Sequence, residues 1–174
     1  MACSIVQGRE ILCRDAAGGI GEIYLTEFEN VPQANITASS GVITAASCSA
    51  SKRFFTYKLE KENGQFDQKI VSAPEGGTYI ESTLTIDLRG MSAALKNNLL
   101  TLAYNRLHVI VKDNQLTNVY HWMGSTNGAD MTEAAGSTGK AFGDVNKFSL
   151  TFMSKEQVAH TVSSTIVASL QVGS

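Results

Sequence analysis

Charged residues are scarce in this sequence of 174 residues: Asp, Glu, Lys and Arg make up 17 %, against roughly 25 % in an average soluble domain. The net charge is −2, and no basic run is longer than Lys52-Arg53. The sequence therefore lacks the electrostatic footprint of a protein that binds nucleic acid by bulk charge. A polar but weakly charged surface is common where copies of one chain bury against each other.

Long apolar runs and a cysteine framework are missing as well. No run approaches the roughly 20 apolar residues of a membrane span, and the first residues do not pair a basic segment with an apolar one. We therefore expect neither a membrane span nor a signal peptide. The three cysteines, Cys3, Cys13 and Cys48, are odd in number and have no metal-site spacing. This predicts free thiols in a reducing compartment.

Alternation of apolar and polar residues is the dominant pattern. "TYIESTLTIDL" predicts a half-buried strand over 78–88, with Ile80, Ser82, Leu84, Ile86 and Leu88 on one face. The same period appears in "GEIYLTEF", "RFFTYKLEKE" and "KFSLTF", and it predicts a C-terminal strand over 158–170. "RLHVIVKDNQLTNVYHWMG" predicts a hairpin with strands near 107–112 and 118–124.

One segment has helical spacing. In "SAALKNNLLTLAY", Leu95, Leu99 and Leu102 lie at i, i+4 and i+7, and Ser92 precedes them as an N-cap, so the sequence predicts a helix over 92–104. One helix cannot cover both faces of about eight strands. The predicted fold is therefore mainly β, a barrel or sandwich with one flanking α-helix. We predict a single domain over 1–174, with room for extended N- and C-terminal arms.

The stretch "NGADMTEAAGSTGKAFGDVNKFSLTF", residues 127–152, resembles a phosphate-binding loop at Gly139-Lys140. The P-loop motif requires glycine where Ala134 stands and a hydroxyl side chain where Ala141 stands. A strand is also expected after it, so no helix N-terminus faces a phosphate. These departures exclude a P-loop and predict that the glycines form turns in a loop over 127–147.

No arrangement of reactive side chains indicates catalysis. His108, His121 and His160 have no ligand spacing; the hairpin register places His108 near Trp122 and His121 on the opposite face, although a one-residue slip would align the two histidines. Tyr120 and Trp122 share a strand face, which fits a sugar platform or core packing. We assign no catalytic, cofactor-binding or metal-binding residues and predict that the protein is not an enzyme.

Three stretches resemble a family of tail tube proteins from tailed phages and prophages of Bacteroidetes-type hosts. They are the opening "CRDAAGGIGEIYLTEFENV", the centre "FDQKIVSAPEGGTYIESTLTIDLRGMSAALKNNLLTLAYNRLHVIVKDNQ", and the later "NGADMTEAAGSTGKAFGDVNKFSLTF". Together they cover most of residues 13–152. The chain after 153 is the least similar part.

The resemblance implies a β-barrel or sandwich with one flanking helix that self-assembles into rings, expected to be hexamers. These rings would stack into a tube through which genomic DNA passes without specific binding. It implies a protein of the virion tail, assembled in the host cytoplasm. The implied partners are further copies of the chain and other tail proteins (terminator, baseplate or tip, tape measure), with no membrane.

Three segments are candidate contacts between copies: the long loop or hairpin of 39–57, the loop of 127–147, and the strand of 158–170. Ordinary pairing within the chain is the alternative for each. Other functions also remain open at this point. They are another virion component (a tail terminator, head–tail connector or capsid decoration protein), a glycan-binding module using Tyr120 and Trp122, and an enzyme.

Overall fold

The structure, a computed structural model, describes residues 18–115 and 119–171. Strands take up 50 % of the chain and helices 17 %, which confirms a mainly β protein. The strands are β1 (Ile20–Glu27), β2 (Ile36–Ser39), β3 (Val42–Ala46), β4 (Phe55–Lys58), β5 (Gly64–Ser72), β6 (Thr78–Arg89), β7 (Leu107–Asp113), β8 (Tyr120–Met123), β9 (Asp130–Ser137), β10 (Lys147–Glu156) and β11 (His160–Val162). The helices are α1 (Ala93–Tyr104) and α2 (Ser164–Gln171), and short 3-10 turns span Phe28–Asn30 and Gln33–Asn35.

The strands form two sheets. The larger has seven strands in the order β2-β3-β11-β8-β7-β1-β4, and the smaller has four in the order β5-β6-β10-β9. Pairing is antiparallel throughout the described residues, except that β11 runs parallel to β3. Hairpins join β5 to β6 and β7 to β8, whereas the β6–β10 and β1–β7 pairs bring distant segments together.

The first core lies between the two sheets and is closed along one side by α1. It is built from alternate residues of the paired strands, because successive side chains of a strand point to opposite faces. Its buried members are Ile20, Ile23, Leu25, Leu84, Ile86, Leu99, Leu102, Leu107, Val109, Val111, Met123, Ala129, Phe148, Leu150 and Phe152. The two sheets therefore form a sandwich around this core.

The second core covers the opposite face of the seven-stranded sheet. Its buried residues are Tyr24, Val31, Ile43, Phe54, Ile110, Tyr120, Trp122, Val162, Val167 and Leu170. The last two come from α2, which lies on this face. The seven-stranded sheet is thus covered on both sides at its centre, while the four-stranded sheet is covered on one.

The strands of the smaller sheet cross those of the larger one. At the end of β6, Arg89 lies 2.6 Å from Glu60, which follows β4. Near its start, Ile80 pairs with Glu156, whose carboxylate accepts the amide of Thr126, after β8, at 2.6 Å. Because β8 and β4 lie three places apart in the larger sheet, β6 runs across that sheet's strands. Its 12 residues span about 40 Å.

Helix α1 follows the prediction closely. It spans Ala93–Tyr104, and the hydroxyl of Ser92 accepts the amide of Leu95 at 3.1 Å, as an N-cap does. Leu99 and Leu102 are buried in the first core. The predicted strand over 78–88, the hairpin of β7 and β8, and the burial of Phe148, Leu150 and Phe152 are confirmed too.

The prediction of one helix and a C-terminal strand over 158–170 is wrong. Only His160–Val162 is a strand, and α2 begins at Ser164. Val158, Val162, Ile166 and Leu170 are spaced by four, which is a multiple of the strand period of two and also close to the helical 3.6. The amide of Ile166 bonds to the hydroxyl of Ser163 at 3.5 Å, which favours the helix.

The predicted loop over 127–147 is wrong in its first half, where β9 occupies Asp130–Ser137. Its sequence of small residues has weak strand propensity, but pairing with β10 from Lys147 onward holds it in the sheet. Strand β5 is another strand that the sequence did not predict, because polar residues occupy most of it. Of the predicted loop, residues 127–129 and 138–146 lie outside the strands.

The segment 39–57 is paired largely within the chain. It contains the β2–β3 turn at Ser40-Gly41, strand β3 beside β11, and strand β4 beside β1. Cys48 is free and half-buried, and its burial raises the pKa of the thiol. Cys3 and Cys13, with the predicted N-terminal arm, lie outside the described residues.

Candidate assembly surfaces

The three histidines occupy three different environments. His108 is fully buried; its Nε2–H donates to the carbonyl of Val31, and its Nδ1 accepts the indole N–H of Trp122, both at 3.3 Å. This confirms the predicted proximity of His108 and Trp122. His121 points to the other face, as expected, and packs on Phe66 at 5.3 Å between ring centroids. Burial lowers the pKa of His108 to about 4, so its ring is neutral at pH 7.

His160 belongs to a small cluster that the sequence did not reveal. The hydroxyl of Ser125 lies 2.7 Å from His160 Nδ1 and donates to Glu156 at 3.1 Å. The Glu156 carboxylate also accepts the amides of Gly124 and Thr126. In a catalytic triad the histidine stands between the serine and the carboxylate, whereas here the serine stands in the middle and is buried. The cluster anchors the turn after β8 to the end of β10.

Tyr120 and Trp122 do not form an exposed platform. Tyr120 is 8 % exposed and Trp122 is 1 % exposed, and both belong to the second core. Trp122 packs edge-on against Phe54 with ring centroids 5.6 Å apart. A sugar ring cannot reach faces that are buried in this way, so the glycan-platform interpretation is wrong for these two residues.

The Gly139-Lys140 turn already holds an anion from its own chain. The carboxylate of Asp144 accepts the amide N–H of Lys140 at 2.7 Å and that of Ala141 at 2.8 Å. These two hydrogen bonds lower the pKa of Asp144. The backbone amides that a phosphate would need are therefore occupied, and Gly139, at φ +74°, supplies the turn.

The four-stranded sheet turns one face away from the core; we call this the outer face. The registers place on it Gln65, Asp67, Lys69, Val71, Tyr79, Glu81, Thr83, Thr85, Asp87, Arg89, Asp130, Glu133, Ala135, Ser137, Lys147, Ser149, Thr151, Met153 and Lys155. Five of these are carboxylates and four are basic, so the formal charge of the outer face is −1. Serine and threonine fill much of the remainder.

Each basic side chain of the outer face has a carboxylate partner. Lys69 and Lys155 lie 2.6 and 3.7 Å from Glu81. Lys147 lies 2.6 Å from Asp87, and Arg89 lies 2.6 Å from Glu60. The outer face therefore carries little uncompensated positive charge, although four of its nine charged residues are basic.

These ion pairs shift the titration of the groups that make them. Hydrogen bonds from Lys147, and from Ser149 at 2.6 Å, hold the pKa of Asp87 below its usual value. The hydrogen bond from Lys69 lowers the pKa of Glu81, and the same contact raises the pKa of Lys69. The carboxylates therefore stay ionised, and the compensation of charge holds, well below neutral pH.

Both edges of the four-stranded sheet are open. Strand β5 ends the sheet on one side and β9 on the other, and neither has a second partner strand among the described residues. They are nine and eight residues long. Because each neighbouring pair is antiparallel, β5 and β9 run in opposite directions. Open edges of this length pair readily with another chain.

Sequence reasoning missed the outer face and its ion pairs because it did not predict β5 or β9. The alternation in β6 did place Glu81 and Asp87 on the solvent side. Their lysine partners come from other strands, so only the register reveals them.

No family model, curated protein or solved structure matches this chain. Within residues 18–115 and 119–171, no group of three or more His, Cys, Asp or Glu side chains is placed to hold a metal ion. Neither helix in that part of the chain has the length and apolar character needed to cross a membrane.

Proposed function

We propose that this protein is a structural subunit that assembles with its own copies into closed rings, and that the rings stack into the tail tube of a bacteriophage. The observation that carries the proposal is the pair of open edges on the four-stranded sheet. The sequence resemblance described above supplies the biological setting. The polar, ion-paired outer face gives independent support.

The two edges fit each other when one copy is rotated next to another. Rotation about a common axis brings β5 of one copy beside β9 of the next. Because the two strands run in opposite directions, they meet as an antiparallel pair. The interface is heterologous, so it repeats from copy to copy until the ring closes. Closure removes both open edges, which a single copy cannot do.

The outer face suits the inner wall of such a ring. A channel for DNA works by letting phosphates slide, and each phosphate held by a lysine or arginine would add a salt-dependent contact. On this face Lys69, Lys147 and Lys155 already contact carboxylates. A formal charge of −1 and cations that already contact carboxylates leave a phosphate little electrostatic attraction to this face.

The first experiment is electron microscopy and sedimentation of the purified protein over a range of concentrations. We expect rings and tubes with an axial channel. Rings that never stack would instead support a terminator or connector. A chain that stays monomeric up to its solubility limit would contradict the proposal.

A proline on the edge of β5 tests the ring interface. The bonds from Ala73 N to Gly77 O and from Asp87 N to Asn63 O show that odd-numbered residues of β5 bond to β6. The amide of Gln68 therefore points to the open edge. Gln68→Pro removes this donor without breaking the internal ladder, so we expect a folded monomer by circular dichroism and sedimentation.

The matched control for that edge is Gln68→Thr. Both substitutions lose the 3.2 Å hydrogen bond from the Gln68 side chain to Ser82, but only proline loses the backbone donor. The threonine variant should form rings like the unaltered protein. Assembly of a folded proline variant at the same concentration would sink the edge-pairing interface.

A further inference from the structure

The hairpin of β5 and β6 extends beyond the core that its base covers. Phe66 and Ile70 lie on the core-facing side of β5, but Phe66 packs against the first core while Ile70 is 76 % exposed. The tip, residues 73–77, is an ordered turn in which Ala73 donates to Gly77 at 2.7 Å. Ring closure through β5 and β9 leaves this tip without a partner.

A cleft of about 680 Å³ lies between β4 and α1, and we call it the β4–α1 cleft. Phe55, which is 55 % exposed, contributes apolar surface to it, and Asn98 and Asn105 contribute amides from α1. Strand β4 is the last strand of its sheet, so one edge of it is open among the described residues. The cleft thus offers apolar contact and hydrogen-bonding groups to an extended segment.

The tip lies beyond one end of the smaller sheet, and the cleft is lined by the second half of α1, a helix that starts at the other end. Strand β6 starts next to the tip at Thr78 and ends at Arg89, and α1 follows directly at Ala93. Those 12 residues place the tip about 40 Å from the start of α1. The tip of one copy therefore cannot fill its own cleft, but it can reach the cleft of a copy stacked in line with it.

We propose that the hairpin tip of one copy docks in the β4–α1 cleft of a copy in the next ring, which makes this the stacking contact of the proposed tube. The charges favour this occupant. Glu75 is exposed at the tip, and Lys52 and Arg53 line the cleft, with Glu27 as the single carboxylate among its lining residues. The small residues Ala73, Gly76 and Gly77 let the backbone approach closely.

The other protruding segment is a poorer occupant. The loop of residues 138–146 carries the fully exposed Phe142. Its one basic residue is Lys140, whose positive charge Lys52 and Arg53 of the cleft would repel. It also precedes Lys147, which pairs with Arg89 near the start of α1. It therefore lies at the end of the smaller sheet where α1 starts, and not at the opposite end as in-line stacking requires.

The stacking contact rests on the proposed function, because it presupposes rings that stack. Exchanging the charges of its two sides tests it. Glu75→Lys and Lys52→Glu each place like charges together, so we expect either variant to form rings whose tubes are about tenfold shorter or absent. The double variant restores an opposite pair, and we expect it to regain tube length. Glu133→Lys is the matched control, because Glu133 is exposed midway along the outer face, away from the tip and the cleft, and should leave stacking unchanged.

Tube length by electron microscopy and ring mass by mass photometry separate the outcomes. Rings without tubes in both single variants, with rescue in the double, support the stacking contact. Full-length tubes from Glu75→Lys, or no rescue in the double variant, overturn it and leave the ring proposal standing. An unaltered protein that makes no rings overturns both proposals.

Discussion

Strands β7 and β10 show how differently the two sheets of this chain are built. In β7 the first five residues, Leu107 to Val111, are all 0 % exposed, because the first core covers one face and the second core covers the other. In β10 buried and half-exposed residues alternate, since only one face is covered. The same backbone geometry therefore serves as a doubly covered layer in one sheet and as an external wall in the other.

The seven-stranded sheet contributes most to stability, whereas the four-stranded sheet offers the surface for interaction. The seven-stranded sheet combines two cores and has short end strands, β2 and β4, of four residues each. The four-stranded sheet has longer end strands and a polar outer face. Substitutions in the first sheet should therefore affect folding, and substitutions on the outer face of the second should affect assembly with little effect on folding.

Trp122→Ala should have the largest effect and gives the strongest test of this comparison. The change empties a site in the second core and removes the hydrogen bond to His108, so we expect a loss of about 3–5 kcal/mol in the free energy of unfolding. Thr85→Ala on the outer face should stay within about 0.5 kcal/mol. Urea denaturation of both variants measures the difference, and comparable losses would contradict it.

Acidification should weaken the doubly covered sheet through His108. Its pKa is about 4 in the folded protein and 6.5 by reference, so protons favour the unfolded chain as pH falls through this window. Above pH 6.5 the titration of His108 does not reduce the free energy of unfolding. Between pH 6.5 and pH 4 it reduces that free energy by about 3 kcal/mol, at about 1.4 kcal/mol per pH unit. The cause is burial, and a proton on Nδ1 would also face the indole N–H of Trp122.

The matched variant for this pH dependence is His108→Gln, which keeps an acceptor but does not titrate. Chemical denaturation of both proteins between pH 7 and pH 4 measures the two profiles. The variant should be less stable at pH 7 and should lose less stability across the window. Parallel profiles would show that His108 does not cause the decline.

Substitutions on the outer face should alter the interaction with DNA and leave folding nearly unchanged. Glu81→Gln with Asp87→Asn removes the partners of Lys69, Lys147 and Lys155, and because ion pairs at the surface contribute little to stability, folding should change little. We expect assembled tubes of this variant to retain short duplex DNA at low salt and to release it at high salt. Co-sedimentation with labelled DNA measures this retention.

The control for the outer face is Glu29→Gln with Glu62→Gln, which removes two charges from exposed positions away from it. Its tubes should not retain DNA. Equal retention by both variants would show that net charge, and not the pairing on the outer face, governs the interaction.

The sequence predicted those parts of the fold in which pattern and propensity agree. Strand β6, helix α1 and the β7–β8 hairpin each combine a clear period with turn or cap residues. Strand β9 has neither and exists because β10 holds it, while α2 shares its spacing with a strand. Which strands form the open edges depends on the order of strands in the sheet. That order is set by pairing between distant segments, and the local pattern of a single sequence does not show it.

Asp144 gives the glycine-rich turn a permanent occupant. Its carboxylate is tethered a few residues from the amides of Lys140 and Ala141, so it competes with any dissolved anion at the effective concentration of a short link, which is in the millimolar range or above. A polyanion passing nearby meets a site that is already full. The side chain of Asp144 therefore blocks the binding of phosphate to these amides, and the glycines of the turn alone would not do so.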